Sequence, residues 1–307
     1  MRLILKMASN RLSSVTSRPF LTRAADRFAL LKDRFSDLRK NRLAFLGVLI
    51  VASVIMIAIL APLIQIYHPL EIHPSIRLQK PNLGHILGTD HLGRDVWSRI
   101  VNGAKVALLV GVLAVGIGIF LGTPIGAIAG YYRGRVDEVI MRAMDAFLAI
   151  PPILMALAVV VILGTGLFNT MIAIGVVYIP RFARVSRGSV LVEREKEYVE
   201  AAKMIGESNL SILFRQILPN SLSPLIVQAT VFIAYAILTE AMLSFLGLGI
   251  EPPYPSWGSM LNEARLYIES DPLLAVIPGL FISITVLGFN ILGDGLRDIL
   301  DPRLAGQ

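Results

Sequence analysis

Side chains able to do covalent chemistry are scarce in this sequence, and those present are poorly spaced for it. There is no cysteine, so no thiolate nucleophile, zinc-thiolate site or disulfide can form. The histidines are His68, His73, His85 and His91. Their spacing does not bring a pair onto one helical face, so no metal site is expected. No H-E-x-x-H or G-x-S-x-G run occurs, and no G-x-x-x-x-G-K-S/T loop that could cradle nucleotide phosphates. Two features remain. Glu240 is a lone carboxylate in an apolar stretch, where an ionisable group is costly and therefore a functional candidate. It either lines a pathway or gate, or hydrogen-bonds neighbouring helices. The second feature is the run Tyr198-Val199-Glu200-Ala201-Ala202-Lys203-Met204-Ile205-Gly206. Ala201, Ala202 and Gly206 present little side chain, so another backbone could approach closely.

The elements that must position these residues are set by hydropathy. The 307 residues are 55% hydrophobic and 17% charged, with a mean hydropathy of +0.68. A soluble core of this size cannot hide that much apolar surface, whereas a bilayer can accept it. The net charge of +7 does not indicate nucleic acid, because the basic residues flank apolar stretches. Crossing the hydrocarbon takes about 20 apolar residues as a helix. Leu43–Ile66 and Val106–Tyr132 carry no charge and give the first two spans. Ala146–Pro180 is uncharged throughout and, at roughly 50 Å as one helix, too long for a single crossing. Gly164-Thr165-Gly166 divides it into spans near 140–163 and 167–184. The fifth and sixth spans lie near 222–247 and 273–293, with Pro224 and Pro278 tolerable inside them. The expected fold is all-α, with six transmembrane helices.

Basic residues orient the bundle. Eleven Lys and Arg against three acids precede Leu43, and Arg133, Arg135 and Arg142 separate spans two and three. Seven more lie from Arg181 to Arg215, and Arg297 and Arg303 close the chain. The opposite side holds only Arg77, Lys80, Arg94, Arg99, Lys105 and Arg265. The positive-inside rule then places both termini in the cytoplasm. The patch Met1–Met7 is too short for a cleaved signal and carries Arg2 and Lys6, so the first span is expected to remain.

Residues 1–42 form a basic arm, suited to setting topology and touching anionic lipid. Residues 43–66 are the first span, and 67–104 an outer loop. From Asp90 that loop looks helical, with Val96, Trp97, Ile100, Val101 and Ala104 at three- and four-residue spacing and Thr89 or Asp90 as cap. It is expected to lie along the membrane surface with Trp97 at headgroup level. A core domain over 105–294 contains the cytoplasmic loop 182–221, and 295–307 is a tail. In span two, Gly111, Gly116, Gly118, Gly122 and Gly126 suit close helix packing. Asp145 is expected to snorkel or serve structure at the inner end of span three. In the cytoplasmic loop, Gly206 can end one short helix in a left-handed cap, and Asn209 can cap a second, Leu210 to Leu218, ending at Pro219. The bend leaves Val199, Met204, Ile205, Leu210, Leu213 and Phe214 needing a partner or the bundle's underside. Pro255, Trp257 and Gly258 read as a rigid outer turn.

The bend resembles the signature of binding-protein-dependent ABC import permeases. That family's pattern is Glu-Ala-Ala, three residues, a glycine, and a later Ile-x-Leu-Pro. Glu200-Ala201-Ala202, Gly206 and Leu218-Pro219 match it, while Ile217-Leu218-Pro219-Asn220 follows the Ile-Leu-Pro-Asn version of the peptide branch. Similar to the same branch are Gly88-Thr89-Asp90-His91-Leu92-Gly93-Arg94-Asp95, Glu240 to Gly249, Pro252-Pro253 with Pro255-Ser256-Trp257-Gly258, and Leu292 to Asp298 with Asp301-Pro302-Arg303. The resemblance covers roughly 40–307 and is nearest to the C-type subunit of dipeptide and oligopeptide importers. It implies a type I importer permease fold, with the bend as a coupling helix docked on an ATPase through Tyr198, Glu200, Ala201, Ala202, Gly206, Leu218 and Pro219. Implied partners are a second, related permease chain in a heterodimer, two ATP-binding cassette subunits and an extracytoplasmic substrate-binding protein touching Pro255 and Trp257. This chain would bind no cofactor, since ATP and Mg belong to the partner ATPases. Implied cargo ranges over dipeptides, oligopeptides, glutathione, nickel complexes and oligosaccharides.

Two other classes compete. An ion-coupled secondary transporter or channel would need more intramembrane charge than Glu240, or visible repeats. An intramembrane enzyme would need a nucleophile with a base in reach, and every histidine falls in the outer loop.

Overall fold

The computed structural model describes residues 42–251 and 253–300, so the arm before Arg42, Pro252 and the end of the tail lie outside the described residues. Helices dominate. Among the described residues the only β pairing is an isolated antiparallel bridge between Thr89 and Asp95. The long helices are α1 (Arg42–Ile64), α2 (Val96–Tyr132), α3 (Gly134–Leu148), α4 (Pro152–Leu163) and α5 (Leu167–Glu193). A short α6 (Glu197–Met204) is followed by an irregular coil, and α7 (Leu222–Phe245), α8 (Trp257–Ala264) and α9 (Leu273–Leu300) complete the chain.

Four helices, α1, α2, α7 and α9, are by themselves long and apolar enough to cross a bilayer. The expected third span is not one helix. Pro151 fixes the backbone outside the helical region (ψ 131°), and α3 and α4 meet at 88°. The pair counts as a fifth crossing only as a broken span. The missed signal was Pro151-Pro152, since a residue before proline is pushed out of the α region. The expected fourth span, α5, is not among the helices apolar enough to cross, so the described residues give four spans, or five with the bent pair, rather than six. α5 runs past residue 184 to Glu193, beyond the apolar part into a basic stretch. Its Arg187 forks onto Asp137 of α3 at 2.5 and 2.6 Å, and its Arg184 reaches Asp145 at 2.6 Å. Asp145 is thus one half of an exposed ion pair.

The outer-loop helix also differs from expectation. It begins at Val96, not Asp90, and continues without interruption into the second span, so it does not lie flat as a separate element. Its cap is Asp95, whose Oδ2 accepts from the backbone N and Oγ of Ser98 at 2.8 and 2.7 Å. At 37 residues α2 is about 55 Å long, well beyond the hydrocarbon thickness. Trp97 is tied to the end of α1, donating from Nε1 to the Ile64 carbonyl at 2.9 Å.

Two apolar clusters hold the helices together. One joins α2, α4, α5 and α7 around Ile174, Phe182 and Phe232, and the other joins α1, α2, α7, α8 and α9 around Ile100, Ile237 and Trp257. Lipid tails are as apolar as leucine, so contact quality rather than water exclusion holds such helices together. The α2–α5 seam shows this. A β-carbon at Gly126 would sit 1.9 Å from the Ala183 carbonyl oxygen, a distance only glycine permits. Gly111, Gly118 and Gly122 also face close neighbours on α5 or α7, as expected for packing, whereas Gly116 faces open space.

Candidate functional site

The bend between α5 and α7 is an elbow folded against the end of the bundle that carries the basic residues. α6 ends in a Schellman motif: Gly206 N donates to the Lys203 carbonyl at 3.0 Å and Glu207 N to Ala202 at 3.1 Å. Gly206 adopts φ +80°, as that cap requires. The second arm differs from expectation. Ser208, not Asn209, is its cap, and the Asn209 side chain instead accepts a hydrogen bond from Tyr131 at 2.8 Å. Pro219 does not end that arm. The coil widens to a π-helix over Ile212–Ile217 and carries on through Leu218–Asn220.

The elbow's apolar residues divide into two faces. Val199, Leu213, Ile212 and Ile217 are fully buried, packing with Ala127 and Tyr131 of α2 and Val190 of α5. Met204 and Ile205 are 82% exposed, and Leu210 and Phe214 join them on the outside. The small residues divide likewise: Ala202 is buried, while Ala201, Glu200 and Gly206 are exposed. A β-carbon at Gly206 would meet nothing within 4 Å, so the space beside it belongs to no part of this chain described here. Leu218 is half-buried and Pro219 exposed.

Polar ties fix the elbow's base. Tyr198 donates to Glu193 Oε1 at 2.9 Å, and Lys196 pairs with the other carboxylate oxygen at 2.6 Å. Burial, with Glu193 adding to it and Asn220 opposing it, pushes the Tyr198 phenol up to about 12, so it remains a donor at neutral pH. Arg194 and Lys203 both stand over the Tyr131 ring, 5.7 and 5.9 Å from its centre.

At the opposite end the structure gathers residues that the sequence separates. Glu240 is 1% exposed and accepts from Ser244 at 2.7 Å on its own helix. Ser244 in turn accepts from the backbone of Ile250 at 3.1 Å, which pins the loop after α7. Trp257 is 1% exposed and donates to the Ile100 carbonyl at 3.0 Å. Pro255 is buried as well. Neither side chain is therefore on a surface that a binding protein could touch in this conformation, contrary to expectation. The bulk of the indole fills the space beside Gly103 and locks α8 to α2.

A buried ion cluster at this end was not foreseen. Arg94 Nε donates to Asp90 Oδ2 at 2.6 Å, and its Nη2 to Glu263 Oε2 at 2.6 Å. Arg99, 1% exposed, reaches the same Glu263 oxygen at 3.0 Å. Asp90, His91 and Glu263 bring ligand atoms within 4.8 Å of one another. Their carboxylates already hold two guanidiniums, whose charge opposes a metal cation there. The sequence offers Thr89 or Asp90 as a helix cap, whereas Asp90 is an ion-pair partner; the signal for it is two arginines within reach of one acidic turn. His85 pairs with Asp95 at 2.9 Å and stacks on Tyr67.

A nearly strand-free bundle of bilayer-length helices is the architecture of a polytopic membrane protein. Its fold is that of a permease within an inward-facing structure of the MetNI methionine ABC transporter, with a TM-score of 0.55 at 20% identity, covering 66% of this chain and 97% of that one. The chain belongs to the family of binding-protein-dependent transport system inner membrane components, the permease subunits of ABC importers, whose model matches residues 122–306. A second model, the N-terminal transmembrane domain of oligopeptide transport permease C, matches residues 29–81. The chain is 49% identical over 273 residues to the dipeptide transport system permease protein DppC of Alkalihalophilus pseudofirmus, covering 89% of this chain and 90% of that one. It is 42% identical over 280 residues to the di/tripeptide permease DppC of Pseudomonas aeruginosa, with 89% and 92% covered. It is 49% identical over 224 residues to the glutathione permease GsiD of Pectobacterium atrosepticum, with 73% and 74% covered. The ion-coupled alternative finds no support in these relatives.

Proposed function

We propose that this permease subunit forms half of a translocation pathway for short peptides, and that its elbow couples the pathway to ATP hydrolysis on separate subunits. The relatives named for dipeptide, di/tripeptide and glutathione transport support a peptide-like cargo. The complex comprises a second, related permease chain, two ATP-binding cassette subunits that hold ATP and Mg, and an extracytoplasmic binding protein. The basic end, with both termini and the elbow, faces the cytoplasm.

The observation that carries the proposal is the two-faced elbow. Its inner face is anchored to α2 and α5 through Val199 and Leu213, so displacement of the elbow moves those helices. Its outer face leaves Met204 and Ile205 in the open, where an ATPase groove can take them. Glu200, Ala201 and Gly206 surround that knob, and the Tyr198–Glu193 bond stiffens its base. Leu218 and Pro219 lie in the last turn of the second arm, which runs on to Asn220 before α7 begins. Glu240 steadies the outer end of α7 rather than facing cargo.

Gly206→Leu tests this. The substitution forces a β-branchless but bulky side chain into a left-handed cap at a cost of about 1–2 kcal/mol, and places it on the docking face. The variant should insert normally yet lose ATP-driven uptake and copurify less ATPase. Wild-type uptake with wild-type ATPase recovery would overturn the docking assignment.

A further inference from the structure

Above the elbow, α5, α7 and α9 diverge around an open cavity of about 790 Å³. This volume lies in the range of small-molecule sites. Its lining combines aliphatic side chains with two opposed sets of charge. One wall carries Glu193 and Lys196, and the other Asp294 and Arg297 on successive turns of α9. Gln228 and Asn220 add amides between them. Asp294 and Arg297 are exposed and make no side-chain hydrogen bond or ion pair among the described residues. A site for anions or cations alone would not offer both signs on each wall.

We propose that this cavity is a binding site for the free termini of short zwitterionic peptides at the cytoplasmic mouth. This rests on the peptide reading above and adds a cargo site within this chain. A dipeptide, spanning at most about 7 Å, carries one ammonium and one carboxylate. The carboxylate meets Arg297, a planar fork suited to it, and the ammonium meets a wall carboxylate. The side chains lie on the aliphatic lining, which discriminates little among residues, as a general peptide carrier requires. Glu193 also accepts from Tyr198, so a terminus bound there is one hydrogen bond from the elbow.

The test uses the assembled importer in lipid nanodiscs without its binding protein. A radiolabelled dipeptide bearing a diazirine side chain is photolysed, and labelled peptides are mapped by mass spectrometry. Labelling is expected within 185–196, 220–231 and 294–300. Unlabelled dialanine should compete, and N-acetyl-dialanine amide, which lacks both charges, should not. Arg297→Gln and Asp294→Asn should each weaken labelling about ten-fold or more, with ATPase recovery unchanged. Equal competition by the blocked peptide, equal labelling of the variants, or labelling spread evenly over the bundle would overturn the site. So would native mass spectrometry showing a phospholipid held through Arg297 that dialanine does not displace. In sealed proteoliposomes with the binding protein added, intact ATP-driven uptake alongside absent labelling would sink this site alone, whereas absent uptake by the wild-type complex would sink the proposed function.

Discussion

Glu263→Gln should destabilise the protein more than its place on a short helix, α8, suggests. Arg94 and Arg99 both donate to Glu263 Oε2, at 2.6 and 3.0 Å, and their other contacts converge on Asp90 Oδ2 at 2.6 and 3.5 Å. Four charges thus balance in one cluster. Neutralising Glu263 leaves two guanidiniums, 3% and 1% exposed at the side chain, against a single carboxylate. Breaking a buried pair costs about 3–5 kcal/mol. The Glu263 side chain is 20% exposed, so water screens part of that and the loss falls near the lower end. About 3 kcal/mol is expected, more than a hundred-fold in the folding equilibrium. Reversible unfolding in mixed micelles, titrated with a denaturing detergent, measures it. The double variant Glu263→Gln, Arg99→Met restores one charge of each sign and should recover about half the loss or more, since an apolar replacement of a buried pair is often neutral. A single variant within about 0.5 kcal/mol of wild type would refute the charge-balance reasoning.

Two further substitutions probe the helix seams with the same titration. Gly126→Ala places a β-carbon against the Ala183 carbonyl and should cost about 1–3 kcal/mol, while Gly116→Ala, facing open space, should cost almost nothing. Equal effects at both positions would show that the α2–α5 seam is looser than described. Trp257→Phe deletes the bond to the Ile100 carbonyl and part of the packing on Phe281, for an expected loss of about 1–2 kcal/mol. An unchanged midpoint would mean that the indole does not lock α8 to α2.

Much of this architecture was readable from residue order because lipid imposes a simple rule. A long apolar run with at most one charge must be helical if it is to cross, so α1, α2, α7 and α9 could be placed before any coordinates. The third and fourth spans failed where that rule is silent. Hydropathy does not see the Pro151-Pro152 kink, and it stops at Arg181 although α5 continues, its arginines matched by Asp137 and Asp145 of α3. The elbow was legible through Gly206, whose left-handed cap follows from glycine alone, but its two faces were not. Val199 and Met204 look alike in sequence, and only the packing against Tyr131 decides which is hidden. Trp257 misled for a related reason: its place between Pro255 and Gly258 suggested an outer turn open to a binding protein, whereas Gly103, 154 residues earlier in the chain, makes the space that buries it. The ion cluster of Asp90, Arg94, Arg99 and Glu263 depends on α8 folding back over α2, a tertiary contact that no local pattern encodes.

Because the chain has no native cysteine, Ile205→Cys gives a single thiol at the tip of the elbow. Mild oxidation of the full complex, with cysteines placed along the groove of the ATPase subunits, measures whether the tip is seated there. Docking predicts a crosslink to an ATPase subunit in every nucleotide state, with maleimide labelling of the thiol slowed by those subunits. Rapid labelling that is the same with and without the ATPase subunits, and no crosslink in any state, would contradict it.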